Sequence, residues 1–488
     1  MARDVVDGKL FETEETEETA DPPPKALAGA SKTFRGYDPH QVFLLPPSLD
    51  DWLPEDHTAR FIAEAVEELL DLSEIYASYE SAAGAPPYDP RLMLKLVLYG
   101  YATGVTSSRE MERRCSVDVA FRWLSANAAP DYRSISRFRR RHLAALEALF
   151  VQVLTLCAEA GLLSLGRVAL DGTKLRASAS RHKAMSHDRL GPRIAEIEAQ
   201  VKALLAEAEA TDAAEDQTFG EDRRGDEVPA ELARRETRLA KMRAAKEAIE
   251  ADAREKAARK AAEKARSKGA DEHEARAAAE QAAAEARPEG RAQRSFTDPD
   301  ARMMKTTDGF HYAYNAQAVV DEESQVVIAA EVVQSAADVD QLLPMAEAAG
   351  HNLGVAGAGD TFDLLLADAG YCSDDNLAEA EAAGLDVLVA TGRMRRSERV
   401  VSPRGRIPNN ATRRELMARR LRTKAGRADY ARRKAIVEPA FGQIKVRQRA
   451  GQLRLRGLAG AKGEWMLHVL CHNLRKLENA KRAQMGLA

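Results

Sequence analysis

Gly166-Arg-Val-Ala-Leu-Asp-Gly-Thr-Lys-Leu-Arg-Ala177 is the stretch whose reading decides the fold. Val168, Ala169 and Leu170 form a short apolar run, the pattern of a strand buried on both faces. The run stops at Asp171-Gly172. A carboxylate at the tip of a buried strand faces the crevice where open α/β sheets bind ligands. Gly172 permits a tight turn and the close approach of a bulky charged ligand. Lys174 and Arg176 set the acid among cations. By itself the stretch also fits a strand closed by an ordinary Asp-Gly turn.

A second stretch repeats the pattern. Phe362-Asp-Leu-Leu-Leu-Ala-Asp368 is an apolar run closed by an acid, with Ala369 and Gly370 following. Before it, Tyr312 to Asp321 and Gln325 to Val333 read as β-rich runs joined at Asp321-Glu-Glu-Ser324, a hairpin signal. Asp338 to Ala349 reads as a helix, and Leu385 to Ala390 as another buried strand. The order strand, hairpin, helix, strand, helix, strand, helix is that of a ribonuclease-H-style mixed sheet. In that arrangement the first and fourth strands are neighbours, so Asp171 and Asp368 are expected close together. The fold class expected is multidomain, α+β with α/β character.

Carboxylates that close repel and do not stay ionised unaided. Hard divalent ions relieve this, and Mg²⁺ (or Mn²⁺) prefers carboxylate oxygen. Two ions about 4 Å apart can activate a water or a 3′-hydroxyl and stabilise the leaving oxygen of an in-line phosphoryl transfer. On a later helix, Glu438, Gly442, Lys445 and Arg449 fall at i, i+4, i+7 and i+11 on one face. That face offers an acid to complete a metal site and cations to hold flanking phosphates. Pro439 belongs in a first turn, so the helix either starts near Glu438 or kinks there. Glu438 alone also fits a helix-start acid facing the helix dipole.

The 488 residues carry a net charge of −4, which hides an asymmetry. Thr391 to Leu458 holds 21 Lys or Arg against 4 Asp or Glu, a net of +17, while Met1 to Asp21 holds 8 acids against 2 bases. A basic region inside a near-neutral chain points to a polyanion partner. Residues 1–30 have too little apolar content to fold and read as a disordered acidic tail. Residues 31–163 read as mostly helical, with a helix from Thr58, another near Pro90 and a third near Thr106. Asp131 to His142 then places five arginines in twelve residues, with Ser134 or Ser136 as cap. Short helices ending in an Arg-rich one fit a helix-turn-helix-like unit, with Arg137, Arg139 and Arg140 toward DNA. A helical bundle with one solvated basic face fits equally.

Residues 191–290 are a low-complexity insertion rich in Ala, Glu, Lys and Arg. Ile194, Ile197, Val201 and Leu204 repeat at a/d spacing, as do Leu232, Leu239, Met242 and Ile249. They read as a coiled-coil-like hairpin, its second helix extended by Ala251 to Ala286. A spacer, a dimer contact, a DNA clamp or a plain solvated arm are all compatible. The remainder, 164–190 with 291–480, is the mixed-sheet domain, closed by a helix over Trp465 to Lys476. Cys115, Cys157, Cys372 and Cys471 are scattered and form no C-x-x-C, so buried free thiols are expected rather than disulfides or zinc. No signal peptide or membrane-spanning run is visible, which points to a soluble, reducing, cytoplasmic (nucleoid-associated) setting.

Taken together, Phe34-Arg-Gly-Tyr37, Leu170-Asp-Gly-Thr173, Asp298-Pro-Asp-Ala-Arg302, Tyr314-Asn-Ala-Gln317, Ala367-Asp-Ala-Gly-Tyr371 and Val437-Glu-Pro-Ala-Phe-Gly442 resemble the DDE transposases of bacterial insertion sequences. The resemblance runs from about Phe34 to Lys476. It implies a helical DNA-binding domain followed by a ribonuclease-H-like catalytic domain. It implies that Asp171, Asp368 and Glu438 are the metal-binding catalytic triad. It also implies Mg²⁺-dependent cleavage at terminal inverted repeats, then strand transfer into double-stranded target DNA. Joining two ends implies a homodimer in the DNA complex. Relatives carry a tyrosine, arginine, glutamate and lysine signature around the third acid. Lys445 follows Glu438 at the expected distance, but Tyr430 and Arg433 lie one residue too far upstream. Lys434 takes the arginine place and Ala431 the tyrosine place. Lys174, Arg433, Lys434, Lys445 and Arg449 are the further expected DNA contacts. A catalytically inactive DNA-binding relative, another ribonuclease-H-like nuclease, and a structural protein built on the arm are the competing readings.

Overall fold

The computed structural model describes residues 48–79, 86–180, 184–219, 230–392, 402–403, 405–408 and 410–486, with side chains described except at 207–219 and 230–232. The acidic tail 1–30, the Phe34–Tyr37 motif, the segment 220–229 and parts of the 402–410 loop lie outside the described residues.

Among the described residues the first α-helices are α1 (Leu49–Trp52), α2 (Thr58–Glu64), α3 (Ser73–Ala77), α4 (Pro90–Ala102), α5 (Ser108–Val117), α6 (Val119–Leu124), α7 (Tyr132–Arg141) and α8 (Leu143–Glu159). Local chemistry sets their starts. Asp89 caps α4 by accepting from the Arg91 N–H, with Pro90 in the first turn. The cap of α7 is Asp131, which accepts from the N–H groups of Arg133 and Ser134 at 2.9 and 3.1 Å. This corrects the expected Ser134 or Ser136 cap. The carboxylate is the better acceptor, and the Ser134 hydroxyl donates to it at 2.6 Å.

The sheet is built around β1 (Arg167–Arg176). On one side β1 pairs antiparallel with β5 (Gly309–Asp321), which pairs in turn with β4 (Arg302–Thr306) and β6 (Val327–Val333). On the other side it pairs parallel with β7 (Leu364–Ala367), and β7 with β8 (Val387–Val389). The fold is therefore α+β with a mixed sheet. Asp171 is not the end of its strand. The ladder to β7 stops at Leu170↔Ala367, but the ladder to β5 continues to Arg176↔Ala313. The long β5 keeps β1 extended beyond the acid, so the crevice opens on the β7 side only. Asp321 closes the β5–β6 hairpin. It is fully buried and accepts from the N–H groups of Ser164, Leu165, Glu323 and Ser324.

A short ladder of β2 (Ala184–Ser186) and β3 (Gln293–Ser295) forms the base of the arm. Between them run α9 (His187–Phe219), α10 (Ala230–Ser267) and α11 (Glu272–Glu285). Leu190, Ile197, Leu239, Met242 and Ile249 make a small core of their own. The second helix does not extend to Ala286 as the sequence suggested. Gly269 turns the chain at φ +86°, and Asp271 with Glu274 forms a capping box that starts α11.

After β6 come α12 (Leu342–Val355), β7, α13 (Asp374–Ala382), β8, α14 (Arg413–Arg422), α15 (Lys424–Val446) and α16 (Leu458–Gln484). Pro439 lies inside α15, which neither starts nor stops there. The proline has no N–H for the Ala435 carbonyl four residues back, and Gln325 Nε2 reaches that carbonyl at 3.4 Å. Helix α16 is buried along most of its length, and one apolar core runs from Leu53 to Leu474. Among the described residues no single helix is long and apolar enough to cross a membrane. All four cysteines are free, with Cys115, Cys157 and Cys471 buried.

Candidate active site

The parallel register of β1 and β7 pairs Leu170 with Ala367, so the next residue on each strand is an aspartate. Asp171 and Asp368 thus lie side by side where the β1–β7 ladder ends. Asp171 Oδ2 accepts from Arg433 Nη1 at 2.8 Å, and its Oδ1 accepts from the Gly172 N–H at 2.8 Å. Burial pushes the Asp171 carboxyl above its ordinary range. Arg433 and the Gly172 N–H oppose that shift, and the neighbouring Asp368 adds to it. Asp368 caps a short 3₁₀ turn, Ala369–Tyr371, by accepting from the Gly370 N–H at 2.7 Å.

Both following glycines let polar side chains approach closely. A Cβ on Gly172 would lie 2.5 Å from Gln317 Nε2 and 2.9 Å from Asp338 Oδ1. A Cβ on Gly370 would lie 2.9 Å from Asp368 Oδ1. The floor of the site is polar. Asp338 Oδ1 accepts from Lys174 Nζ at 3.1 Å, Asn315 Nδ2 at 2.6 Å and Gln317 Nε2 at 2.9 Å. The Tyr371 hydroxyl donates to Gln317 Oε1. Burial raises the Tyr371 phenol, as do the charges of Asp338, Asp171 and Asp368. The sequence alone assigns no role to Asp338, Asn315, Gln317 or Tyr371. Asp338 only opens a helix in the sequence, and Lys174 of β1 with Asn315 and Gln317 of β5 bring it to the site.

Helix α15 supplies the cations. Arg433 faces inward between Asp171 and the Tyr430 ring, whose centroid is 6.0 Å from the guanidinium carbon. The two residues that sit out of register in the sequence are therefore both at the site. Burial lowers the Lys445 ammonium, while the charge of Asp171 opposes the shift. Glu438 is not brought to the aspartates. Its side chain is 62% exposed, and its nearest cation is Lys434 at 3.8 Å. Among the described residues no three acids, histidines or cysteines converge tightly enough to hold a metal as they stand. Arg449 is not on the Glu438 face, because α15 ends at Val446 and Arg449 turns back at φ +53°.

The remaining expected DNA contacts divide by exposure. Arg137 and Arg140 stand exposed on α7, and Lys434 is exposed on α15. Arg139 is corrected: it is 4% exposed and spends its guanidinium inside the protein. It donates to Tyr101 Oη at 2.8 Å, the Thr106 carbonyl at 2.9 Å and Ser108 Oγ at 2.6 Å. Lys174 is held by Asp338, so its charge is already partnered.

As an oxygen-donor set, Asp171 and Asp368 suit a hard divalent ion, and the polar floor supplies further oxygens. Compared with known families, residues 47–141 match a model described as Transposase domain (DUF772). Residues 286–474 match a model described as Transposase DDE domain. The second match starts at the end of the arm, so it includes Asp368 and Glu438 but not Asp171. No curated protein and no solved structure gave a match.

Proposed function

We infer that this chain, which belongs to the DDE transposases of insertion sequences, cleaves DNA at the terminal inverted repeats of its element and transfers the strands to target DNA, with Asp171 and Asp368 as its paired catalytic acids. A DDE transposase is an enzyme that binds DNA and uses divalent metal ions. The observation that carries the residue assignment is the β1–β7 register, which sets the two aspartates side by side. The strand order β6-β5-β1-β7-β8, with β1 and β7 parallel, supports a ribonuclease-H-like sheet. In this reading the helical region 31–163 is the DNA-binding domain, the arm 191–290 is an insertion, and 164–190 with 291–480 is the catalytic domain.

Asp171 and Asp368 would hold Mg²⁺ or Mn²⁺, as a pair of ions, and Glu438 is the third acid by family pattern. When bound, the ions supply activation of the attacking oxygen and stabilisation of the leaving one. The protein's own part is positional. Arg433 neutralises Asp171 in the absence of other cations and keeps a guanidinium at the phosphate position. Its Nε is buried and without a partner among the described residues. Lys445 places a second cation beside Asp171. Exposed Arg137, Arg140 and Lys434 contact the DNA backbone outside the site, and two copies of the chain bring two ends together.

The test is strand cleavage of a labelled duplex carrying the element's own end, with Mg²⁺ or Mn²⁺. Cleavage at the end that disappears in Asp171→Asn and Asp368→Asn supports the assignment. Cleavage that persists in either variant removes it.

A further inference from the structure

We propose that Asp338 supplies a third carboxylate to the divalent-cation site of the DNA-free protein. This rests on the reading that Asp171 and Asp368 bind the cation. The posture of Asp338 is the first argument. All three donors that reach its carboxylate, Lys174, Asn315 and Gln317, reach Oδ1. No donor among the described residues meets Oδ2. A Cβ built on Gly370 would stand 2.9 Å from Asp368 Oδ1 and 3.3 Å from Asp338 Oδ2. One built on Gly172 would stand 2.9 Å from Asp338 Oδ1. The side chain thus spans the two glycines that follow the two aspartates, anchored by one oxygen, with the other on the Asp368 side. Anchoring of a ligand by its second oxygen is how outer partners orient carboxylates at metal sites.

Asn315 is an independent observation. It is fully buried, and its Nδ2 donates to Asp338 Oδ1 and to the Ser335 carbonyl. Its Oδ1 is buried with no partner, and it lies 3.0 Å from the Gly172 Cβ position, in the space that Asp338 Oδ1 also borders. A buried carbonyl oxygen left without a donor marks a place where an ion or its water is accommodated. Glu438 offers neither feature, being exposed and turned toward Lys434. Among the described residues no three acids converge as the side chains stand. Closing the site therefore takes a side-chain movement, and Asp338 Oδ2 already borders the same glycine as Asp368 Oδ1.

The experiment is calorimetric titration of the full chain with MnCl₂ in the absence of DNA. Asp338→Asn should weaken Mn²⁺ binding at least about tenfold, the usual effect of losing a ligand or its orienting partner. Glu381→Gln, at an exposed acid paired with Arg413 away from the site, should leave it within about twofold. Asp338→Cys should turn the preference from Mn²⁺ toward Cd²⁺, because thiolate is a soft ligand. A loss of background charge would not produce that switch. A reading free of variants uses Fe²⁺ with ascorbate and peroxide on the wild-type chain, where backbone cuts beside residues 171, 338 and 368 are expected. Parent-like Mn²⁺ affinity in Asp338→Asn, or cuts beside 171 and 368 alone, overturns the proposal. If Asp171→Asn then still abolishes binding, only the role of Asp338 has failed. If Asp171→Asn and Asp368→Asn also retain both binding and cleavage, the underlying reading has failed instead.

Discussion

Replacing Arg139 with alanine should cost about 3–5 kcal/mol of folding stability, a figure set by what the guanidinium leaves behind. Three acceptors lose a charged donor: Tyr101 Oη, the Thr106 carbonyl and Ser108 Oγ. Bonds from charged donors contribute about 1.5–3 kcal/mol each, but the cost of burying the cation is also relieved, so the terms do not simply add. Behind Tyr101 stands Glu464, fully buried, which accepts from the Tyr101 hydroxyl at 3.0 Å and from the N–H groups of Arg454 and Leu455. Burial raises the Glu464 carboxyl and the charge of Arg139 opposes that shift, so removing Arg139 also leaves a buried acid without its cation. The control is Arg140→Ala, next in sequence and exposed, which should change stability by less than about 0.5 kcal/mol. Urea unfolding followed by tryptophan fluorescence measures both. DNA binding read at several salt concentrations should give the opposite ranking, with Arg140→Ala reducing the salt slope by about 1 and native-state Arg139→Ala leaving it unchanged. An Arg139→Ala protein within about 0.5 kcal/mol of the parent would refute the argument.

Three buried histidines should make the fold sensitive to acid. Burial lowers His468 to about 3, and His142 and His472 to about 4. Their folded values lie below the unfolded value of about 6.5, so their contribution is present above pH 6.5 and lost as pH falls toward 4. Each can add up to about 1.4 kcal/mol per pH unit in that window, and His468→Gln should flatten the measured stability–pH curve by about that much. Gly172→Ala should push the Gln317 amide off Asp338, costing about 1–3 kcal/mol and weakening Mn²⁺ binding, whereas parent-like binding would show that the floor adapts. Replacing residues 187–292 by a two-residue turn should leave the sheet folded, because Ser186 pairs with Gln293 at the base of the arm. Loss of far-ultraviolet strand signal or of cooperative unfolding in that protein would show that the arm supports the core.

The two aspartates were legible because each ends an apolar run, a signal contained within a few residues. The length of β1 was not, because what keeps it extended is β5, whose pairing residues lie more than a hundred positions away. The break in the arm was written locally, in Gly269 and the Asp271–Glu274 capping box, but the repetitive composition around it masked the signal. Arg139 also had a local signature. Ile135, Phe138, Arg139 and His142 fall at i, i+3, i+4 and i+7, and all four are buried. A charged residue on an apolar stripe reads as a buried partner sooner than as a surface contact. Asp338 had no such signature, since its partners come from β1 and β5 and none is near it in sequence.

The position of Glu438 follows from the same periodicity on α15. Arg433, Val437, Ala440 and Ile444 fall at i, i+4, i+7 and i+11, and all are buried. This is the line that meets the sheet, and Glu438 lies one residue past it. The offset of Tyr430 and Arg433 visible in the sequence is thus an offset between two faces of one helix, about 100° apart. Tyr430 and Arg433 follow the inner face, while Glu438 follows the outer one. Turning Glu438 inward by rotating the whole helix would expose Val437 and Ile444, at about 1.5–3 kcal/mol each. It would also break the 2.8 Å bond from Arg433 to Asp171. Losing the exposed ion pair with Lys434 would add at most about 1 kcal/mol to those costs, so the isolated chain keeps this acid outside.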